Sequence, residues 1–227
     1  MVQPSTRARR RRWRVAVTLG SMGLSLLLMA LVGAATCRPS WYRPLAIDHA
    51  RLKADKRDFV HLVDAIGVAL NSGQTIDFEL AEEQVNRWLA ARGEVWPASG
   101  IEVEGLDYPQ VNWLGGNRVR VAATVTGRPI ELIVSAIARC ELVSGQLVIQ
   151  LEGARCGVLP VPRGRILDPI RQWLSGHPDD SVAVSAGAVS LRNRWVWENG
   201  KRPFRLRDLE ISDGAARVSL EPLRAGP

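Results

Sequence analysis

Residues 118–151 decide the fold, and they read RVRVAATVTGRPIELIVSAIARCELVSGQLVIQL. Apolar residues alternate with others in three successive runs, as they do in β-strands. The runs are 119–125, 130–138 and 147–151. Thr126-Gly127 and Ser144-Gly145 fall between the runs and are typical of tight hairpin turns. Because connections this short join antiparallel neighbours, the stretch predicts three adjacent strands of an antiparallel sheet.

These strands also carry apolar side chains on their second face. Ile133 and Ile137 back the second strand, and Val148 backs the third. A sheet that is apolar on both sides needs a cover on both, which helices provide. Further strands are predicted at 75–80, 101–103, 189–191, 195–197 and 218–220, with hairpin turns at 115–117 and 213–214. The predicted fold class is α+β, with a curved antiparallel sheet and two or three packed helices.

Two helices are predicted upstream of the sheet. From Asp48 to Asn71, apolar residues recur at helical spacing, and Gly73 is a typical stop. A second helix runs from Ala81 to Arg92 and is ended by Gly93. The apolar sides of the two helices are formed by Leu52, Phe59, Val63, Ile66 and Leu70 and by Ala81, Val85, Trp88 and Leu89. Asn86 either hydrogen-bonds the edge of the sheet or faces water.

A proline-rich break at 157–164 interrupts the strands, and a third helix follows it. Asp168 and Pro169 are typical of the N-cap and the first position of a helix. Alternatively, the helix begins at Arg163, in which case Pro169 would kink it. Both alternatives place a short helix after the break.

The N-terminus carries the features of a membrane anchor. Residues 15–37 include no charge, and roughly 20 apolar residues cross a bilayer as a helix. Arg9, Arg10, Arg11, Arg12 and Trp13 precede this segment, and Trp41 follows it. A basic cluster holds its own side in the cytoplasm, and tryptophan favours the membrane interface. The predicted parts are a cytoplasmic tail (1–14), a transmembrane helix (15–37), a linker (38–46) and an extracytoplasmic domain (47–227).

Two other interpretations of the N-terminus place the domain in the same compartment. A signal peptide could be cleaved near Gly33-Ala34-Ala35, although its apolar region is usually about 7–15 residues long. Cys37 could carry a lipid, although residues 34–36 are a poor lipoprotein signal. The length of the segment favours an anchor that stays attached to the cytoplasmic membrane.

The basicity of the chain belongs to this anchor. The formal charge is +7, yet residues 1–37 hold six of the 30 Lys and Arg residues and none of the 23 Asp and Glu residues. The rest of the chain therefore carries a formal charge of only +1. A nucleic-acid partner is not expected, because phosphate backbones are bound by clustered positive charge.

The sequence contains no catalytic, metal or nucleotide motif. His49, His61 and His177 form no zinc-binding pair, and the acids that follow His177 are typical of a solvated turn. There is no nucleophile elbow, P-loop or dinucleotide fingerprint. Glu82 and Glu83 diverge on a helix and suit its N-terminal dipole better than a paired acid site. We therefore expect neither enzyme activity nor a metal or cofactor.

Three cysteines fit a disulfide framework poorly, since one is left over. In a two-residue turn at Ser144-Gly145, Cys140 would oppose Ile149 and Cys156 would point to the other face. A bond between Cys140 and Cys156 would need a bulge. We interpret both residues as small apolar fillers.

Two apolar features could contact a ligand or pack inside the domain. Trp195 and Trp197 place two indoles on one face of a strand, where they could line a groove, although core packing is more common. Residues 159–162, Leu-Pro-Val-Pro, could form an exposed apolar lip or a packed crossover. The sequence leaves both alternatives open.

The order of these features resembles a known kind of protein. After the anchor and the amphipathic helix come Phe78–Leu89, FELAEEQVNRWL, then the β-rich stretch and Gly157–Pro162, GVLPVP. This order is similar to bacterial membrane-anchored proteins whose domains are distantly similar to tubular lipid-binding (BPI-like) modules, over roughly residues 75–165. There, a short helix of the type acidic-acidic-x-apolar-Asn-x-apolar-Leu precedes a long curved antiparallel sheet. The resemblance implies lipid binding in an apolar groove and carries over no individual binding residue.

Three functions are compatible with these observations. The leading hypothesis is non-enzymatic binding of a lipid or other apolar ligand at the outer side of the cytoplasmic membrane. The alternative is an interaction or scaffold subunit of an envelope protein complex, which would dock its partner through a sheet edge or the tryptophan face. A hydrolase ranks third, because it would need a cleft that joins His61 or His177 to acids.

Overall fold

The computed structural model of the protein describes residues 24–96, 105–127, 130–176, 181–196 and 202–223. Several predicted features lie outside these residues and stay predictions. They are the cytoplasmic tail with Arg9, Arg10, Arg11, Arg12 and Trp13, residues 15–23 of the predicted span, the strand at 101–103, His177 with its acidic turn, and Trp197.

The described residues form five helices and eleven strands. The helices are α1 (24–36), α2 (Leu52–Ser72), α3 (Glu82–Ala90), α4 (Arg92–Val95) and α5 (Arg163–Gly176). The strands are β1 (Ile76–Ala81), β2 (Leu106–Leu114), β3 (Arg118–Val125), β4 (Leu132–Val143), β5 (Gln146–Cys156), β6 (Leu159–Pro160), β7 (Val182–Val184), β8 (Ala188–Arg192), β9 (Trp195–Val196), β10 (Pro203–Ser212) and β11 (Ala215–Pro222).

The strands form two antiparallel sheets, which confirms the α+β class but divides the single sheet that was predicted. The small sheet has the order β1-β11-β10-β9. The large sheet has the order β2-β3-β4-β5-β8-β7, with β6 paired to β5. Alternation in the sequence identifies strands, but only a tight turn indicates which strands pair with each other. β1 is followed by α3 and not by a turn. Its pairing with β11, at the other end of the chain, therefore leaves no local signal.

The predicted hairpin turns are confirmed. The pairs β2–β3, β3–β4, β4–β5 and β10–β11 are antiparallel neighbours joined at the predicted turns. Ser144 and Gly145 have φ angles of 50° and 76°, and two successive positive values define the type I′ turn that suits a two-residue hairpin. Cys140 opposes Ile149, as this turn requires.

Four strands were not predicted, namely β2, β6, β7 and β10, and in β2 and β10 bulges shift the phase of the alternation. The register of β10 shifts between Leu206 and Asp208, so apolar residues before and after the shift reach the same face. The register of β2 shifts between Asp107 and Gln110, where Tyr108 has a φ of 52°. A search for strict alternation of apolar and polar residues therefore does not detect strands that contain a bulge.

The structure decides between the two alternatives for the start of α5 and corrects the predicted end of the second helix. α5 begins at Arg163, the second alternative, so Asp168 is not its N-cap and Pro169 lies inside the helix. Gly93 does not end the preceding helix but lies within α4, and the break falls at Ala91, which has a φ of −101°. Ala91 is buried in one cluster with Trp88, so tertiary packing rather than glycine sets this boundary.

The core of the small sheet lies between its single apolar face and α2. Ile66 and Leu70 of α2 pack against Phe204, Leu206 and Leu220 of the sheet, and all five side chains are buried. The opposite face carries the pairs Glu79–Arg217 and Arg205–Glu221. This clean division of the two faces is what an antiparallel sheet with one solvated side requires.

α3 covers the open edge of the large sheet. On the edge strand β2, Asn86 Nδ2 donates to Val111 O at 2.8 Å, and Asn86 Oδ1 accepts from Val111 N at 2.7 Å. Glu82 accepts from Trp113 N at 2.7 Å. Four residues of a helix rise about 6 Å, which matches about 6.6 Å for two residues of a strand. Of the two alternatives for Asn86, hydrogen bonding to the sheet edge is therefore correct.

The segment predicted as a linker packs on the large sheet. Tyr42 is only 2% exposed, and its hydroxyl donates to Tyr108 O at 2.7 Å and lies 2.9 Å from Thr124 Oγ1. Farther along the chain, Val158 N donates to Ala34 O at 3.0 Å, near the end of α1. These contacts hold the domain directly against the end of α1.

α1 presents exposed apolar side chains over its described length. Leu24, Leu27 and Met29 are each more than half exposed. Among the helices in the described ranges, none combines the length and the apolar character needed to cross a membrane. Residues 15–23 of the predicted span lie outside these ranges, so the anchor stays a prediction.

The three cysteines are free thiols. Cys156 opposes Val134, six residues from Cys140 along β4, a separation of roughly 20 Å at about 3.3 Å per residue. Burial raises the pKa of the Cys140 thiol, because the thiolate loses its hydration there. Cys140 is therefore a protonated, partly buried filler, consistent with the prediction from the sequence.

Candidate apolar binding groove

A groove of about 1060 Å³ lies between α2, β1 and α3. Apolar side chains form most of its wall. They are Phe59, Leu62, Val63, Ile66 and Val68 of α2, Phe78 and Leu80 of β1, Val85 and Trp88 of α3, and Trp96 and Val196. The polar lining residues Asp64, Asn71 and Ser72 all belong to α2. An apolar wall with few polar groups is the usual composition of a small-molecule site.

α2 forms one wall because only some of its apolar residues are buried against the small sheet. Ile66 and Leu70 are buried against the small sheet, whereas Leu62 and Val63 are only partly buried and line the groove. Gly67, one helical turn after Val63, also lines the groove and has no side chain that would fill it. Part of the apolar side of α2 therefore faces the groove instead of being buried in the core.

β1 forms the floor. Phe78 and Leu80 alternate with Asp77 and Glu79, so their side chains point to the covered face of the small sheet. Both apolar residues line the groove. The same alternation that builds the core therefore supplies the floor of the site.

An aromatic cluster forms one wall. The ring of Phe59 meets Trp88 edge-on at 5.2 Å between centroids and lies tilted on Trp96 at 5.7 Å. Trp88 Nε1 donates to Asp55 O at 3.2 Å, which satisfies the polar atom of this buried indole. The rings are rigid and large, so they give this wall a fixed shape.

A buried ion pair holds α2 against α3 beside the cluster. Arg87 Nε lies 3.1 Å from Asp55 Oδ1, with side-chain exposures of 21% and 10%. Arg87 also contacts the exposed Glu83 at 2.7 Å. Because removing one partner of a shielded pair leaves an unpaired charge, the contact fixes the spacing of the two helices.

Exposed apolar side chains are found among the groove-lining residues. Val68, Val196 and Trp96 are 68%, 67% and 45% exposed. Each of them keeps apolar area in water that a bound molecule would remove, at about 25 cal/mol per Å². The groove is thus open to solvent and bordered by apolar groups.

Other residues considered from the sequence lie elsewhere. Trp195 packs on Phe204 at 6.0 Å between centroids and belongs to the small-sheet core. Trp41 lies on the large sheet beneath Arg120. His49 and His61 are exposed. In the part of the chain that the structure describes, no three His, Cys, Asp or Glu residues come together as metal ligands.

The sequence identified only part of the groove. The predicted apolar sides of α2 and α3 include Phe59, Val63, Ile66, Val85 and Trp88, all of which line it. Gly67, Trp96 and Val196 were missed. A glycine inside a strong helix pattern was the one available signal, because it often marks a packing or functional need.

Comparison of the chain with protein-family models, curated proteins and solved structures found no match. The function therefore has to be inferred from the groove and from the sequence features around it.

Proposed function

We propose that the protein binds a lipid or other apolar molecule in this groove, without catalysis, while residues 15–37 hold it at the outer side of the cytoplasmic membrane. The groove carries the proposal. Its volume of about 1060 Å³ reaches the top of the range of about 300–1,000 Å³ that is usual for ligand sites. Its apolar lining provides little hydrogen bonding, so selectivity would follow apolar area and chain length.

The N-terminal region supports a membrane location. The arginine cluster precedes an uncharged segment of sufficient length, and α1, which lies within that segment, exposes its apolar side chains. The contact of Val158 N with Ala34 O keeps the domain next to the end of that helix. The resemblance to membrane-anchored proteins with tubular lipid-binding modules favours the same ligand class.

The test combines the co-purified ligand with a blocked groove. Organic extracts of the purified chain, analysed by mass spectrometry, should contain a lipid in near-stoichiometric amount. Gly67→Leu should lower that amount and the affinity for a fluorescent fatty acid at least about tenfold, because its side chain occupies the groove. Leucine is a better helix former than glycine by roughly 1 kcal/mol, so the variant should remain folded.

Ala65→Leu is the matched control, because it adds a similar side chain at an exposed position of the same helix. It should bind the probe like the wild-type chain. The proposal would be abandoned if the extract held no lipid and both variants bound the probe as the wild-type chain does.

The alternative is docking of another envelope protein at the same place. It is favoured by the position of β9, which is one of the two edge strands of the small sheet and carries the exposed Val196 that lines the groove. An edge strand beside an apolar groove can accept a strand and its side chains. A photo-crosslinker at Val196 that captured one protein in stoichiometric yield, with no lipid in the extract, would favour this alternative.

A further inference from the structure

One face of the large sheet brings two arginines together. Arg120 on β3 and Arg155 on β5 flank β4, opposite Ile137 and Ser135 respectively. Ile137 and Ser135 are two residues apart, so all four side chains point to the same face. Together with Trp41, they line a pocket of about 390 Å³ on that face.

Trp41 holds the Arg120 guanidinium in place. The guanidinium carbon lies 4.4 Å from the centroid of the indole ring, which is the geometry of a cation–π contact. Burial, followed by the charge of Arg155, lowers the pKa of Arg120. Since arginine stays protonated in proteins, the two positive charges remain close together. Such a pair is stabilised when an anion binds between the two groups.

The nearby carboxylates are already engaged. Glu152 lines the same pocket, but Arg139 Nε donates to it at 2.9 Å. Glu82, whose negative charge acts on Arg120, accepts hydrogen bonds from Asn112 and from the backbone of β2. Within the described ranges, neither Arg120 nor Arg155 forms an ion pair with an acidic residue. The guanidinium donors are therefore available to an external anion.

The pocket lies close to the end of α1. Arg155 precedes Val158 by three residues, so the two lie within about 10 Å of each other, and Val158 N donates a hydrogen bond to Ala34 O. If α1 is membrane-inserted, the pocket is near the level of the lipid headgroups.

We propose that Arg120 and Arg155 bind a phosphate group, and that its source is the headgroup of an anionic phospholipid in the leaflet next to α1. Two guanidinium forks suit phosphate oxygens, and the Ser135 hydroxyl supplies a further donor from the strand between them. The site is separate from the groove, and only the lipid source depends on the membrane location proposed above.

The test uses the full chain in a nonionic detergent. Native mass spectrometry measures its preference for phosphatidylglycerol over phosphatidylcholine, and calorimetry measures the affinity for inorganic phosphate. Arg155 is exposed, so Arg155→Gln should keep the fold. Its loss of charge-assisted hydrogen bonds should lower the phosphatidylglycerol preference about tenfold, and Arg155→Lys should restore part of it. Arg217→Gln, which removes the same charge on the small sheet, should have no effect.

The outcomes separate the sources of the phosphate. A loss of phosphatidylglycerol preference in Arg155→Gln supports the headgroup site, whether or not inorganic phosphate also binds. A loss confined to inorganic phosphate supports the anion site and contradicts its lipid source. Equal behaviour of Arg155→Gln and the wild-type chain in both measurements overturns the proposal. Gly67→Leu should leave the preference between the two lipids unchanged, so failure of the groove and failure of this site are distinguishable.

Discussion

The two sheets of this protein are completed in different ways. The small sheet buries its apolar face under α2 and leaves a groove between that helix, β1 and α3. The large sheet forms hydrogen bonds with Asn86 and Glu82 at its edge and with Tyr42 on its face. Its residues Leu142 and Leu147 also pack on the small-sheet core. The two candidate binding surfaces therefore differ in character: the one beside the small sheet is apolar, and the one on the large sheet is cationic.

The largest effect is expected where the small sheet meets α2. Leu70 is 1% exposed, so Leu70→Ala should lower the free energy of unfolding by about 3–4 kcal/mol through lost burial and the cavity that remains. Urea titration of the purified chain measures this value. Val68→Ala, on the exposed side of the same helix, should change it by no more than about 0.5 kcal/mol. Similar losses for the two variants would contradict the packing of α2 on the small sheet.

A smaller loss of unfolding free energy is expected where α3 contacts the edge of the large sheet. Asn86→Ala removes both hydrogen bonds to Val111 and leaves two backbone groups at the edge of β2 unpaired, which should cost about 2 kcal/mol. Hydrogen exchange should then accelerate at Val111 first. Glu83→Ala is the control, since it removes only the exposed contact with Arg87 and should cost about 0.5 kcal/mol or less. Unchanged exchange at Val111 would show that α3 does not protect this edge.

The smallest loss is expected on the face of the large sheet. Tyr42→Phe removes one hydroxyl that lies within hydrogen-bond distance of Tyr108 O and Thr124, so it should cost about 1 kcal/mol. The same urea titration applies. Tyr108→Phe changes a side chain that is more than half exposed and should be nearly neutral. A neutral Tyr42→Phe would mean that this segment is not fixed to the sheet as described.

The sequence predicted the local parts of the fold better than their assembly. Alternation and turn chemistry identified β3, β4 and β5 with their hairpins, because these strands contact their neighbours in the chain. The pairing of β1 with β11 joins distant segments and has no local pattern. Register shifts in β2 and β10 moved apolar residues out of phase, so those strands were missed.

In the candidate sites, too, the sequence predicted the residues that belong to local patterns and missed those brought in by strand pairing. The apolar stripes of α2 and α3 predicted residues such as Phe59 and Trp88, because periodicity within one helix reveals its covered side. Val196 joins the groove only through the pairing of β9 with β10, which the sequence does not specify. Arg120 and Arg155 were not predicted as site residues. Arginines are common in strands, and only the strand register shows that these two share one face of the sheet.

Quenching by brominated acyl chains tests the central claim most directly, because bromine quenches the tryptophans that it contacts. A brominated fatty acid added to the full chain should quench part of the tryptophan emission. Trp96→Phe should remove much of that quenching, whereas Trp41→Phe, on the large sheet, should leave it unchanged. Equal quenching in the wild-type chain and in Trp96→Phe, with a loss in Trp41→Phe, would place the apolar ligand outside the groove and contradict the account.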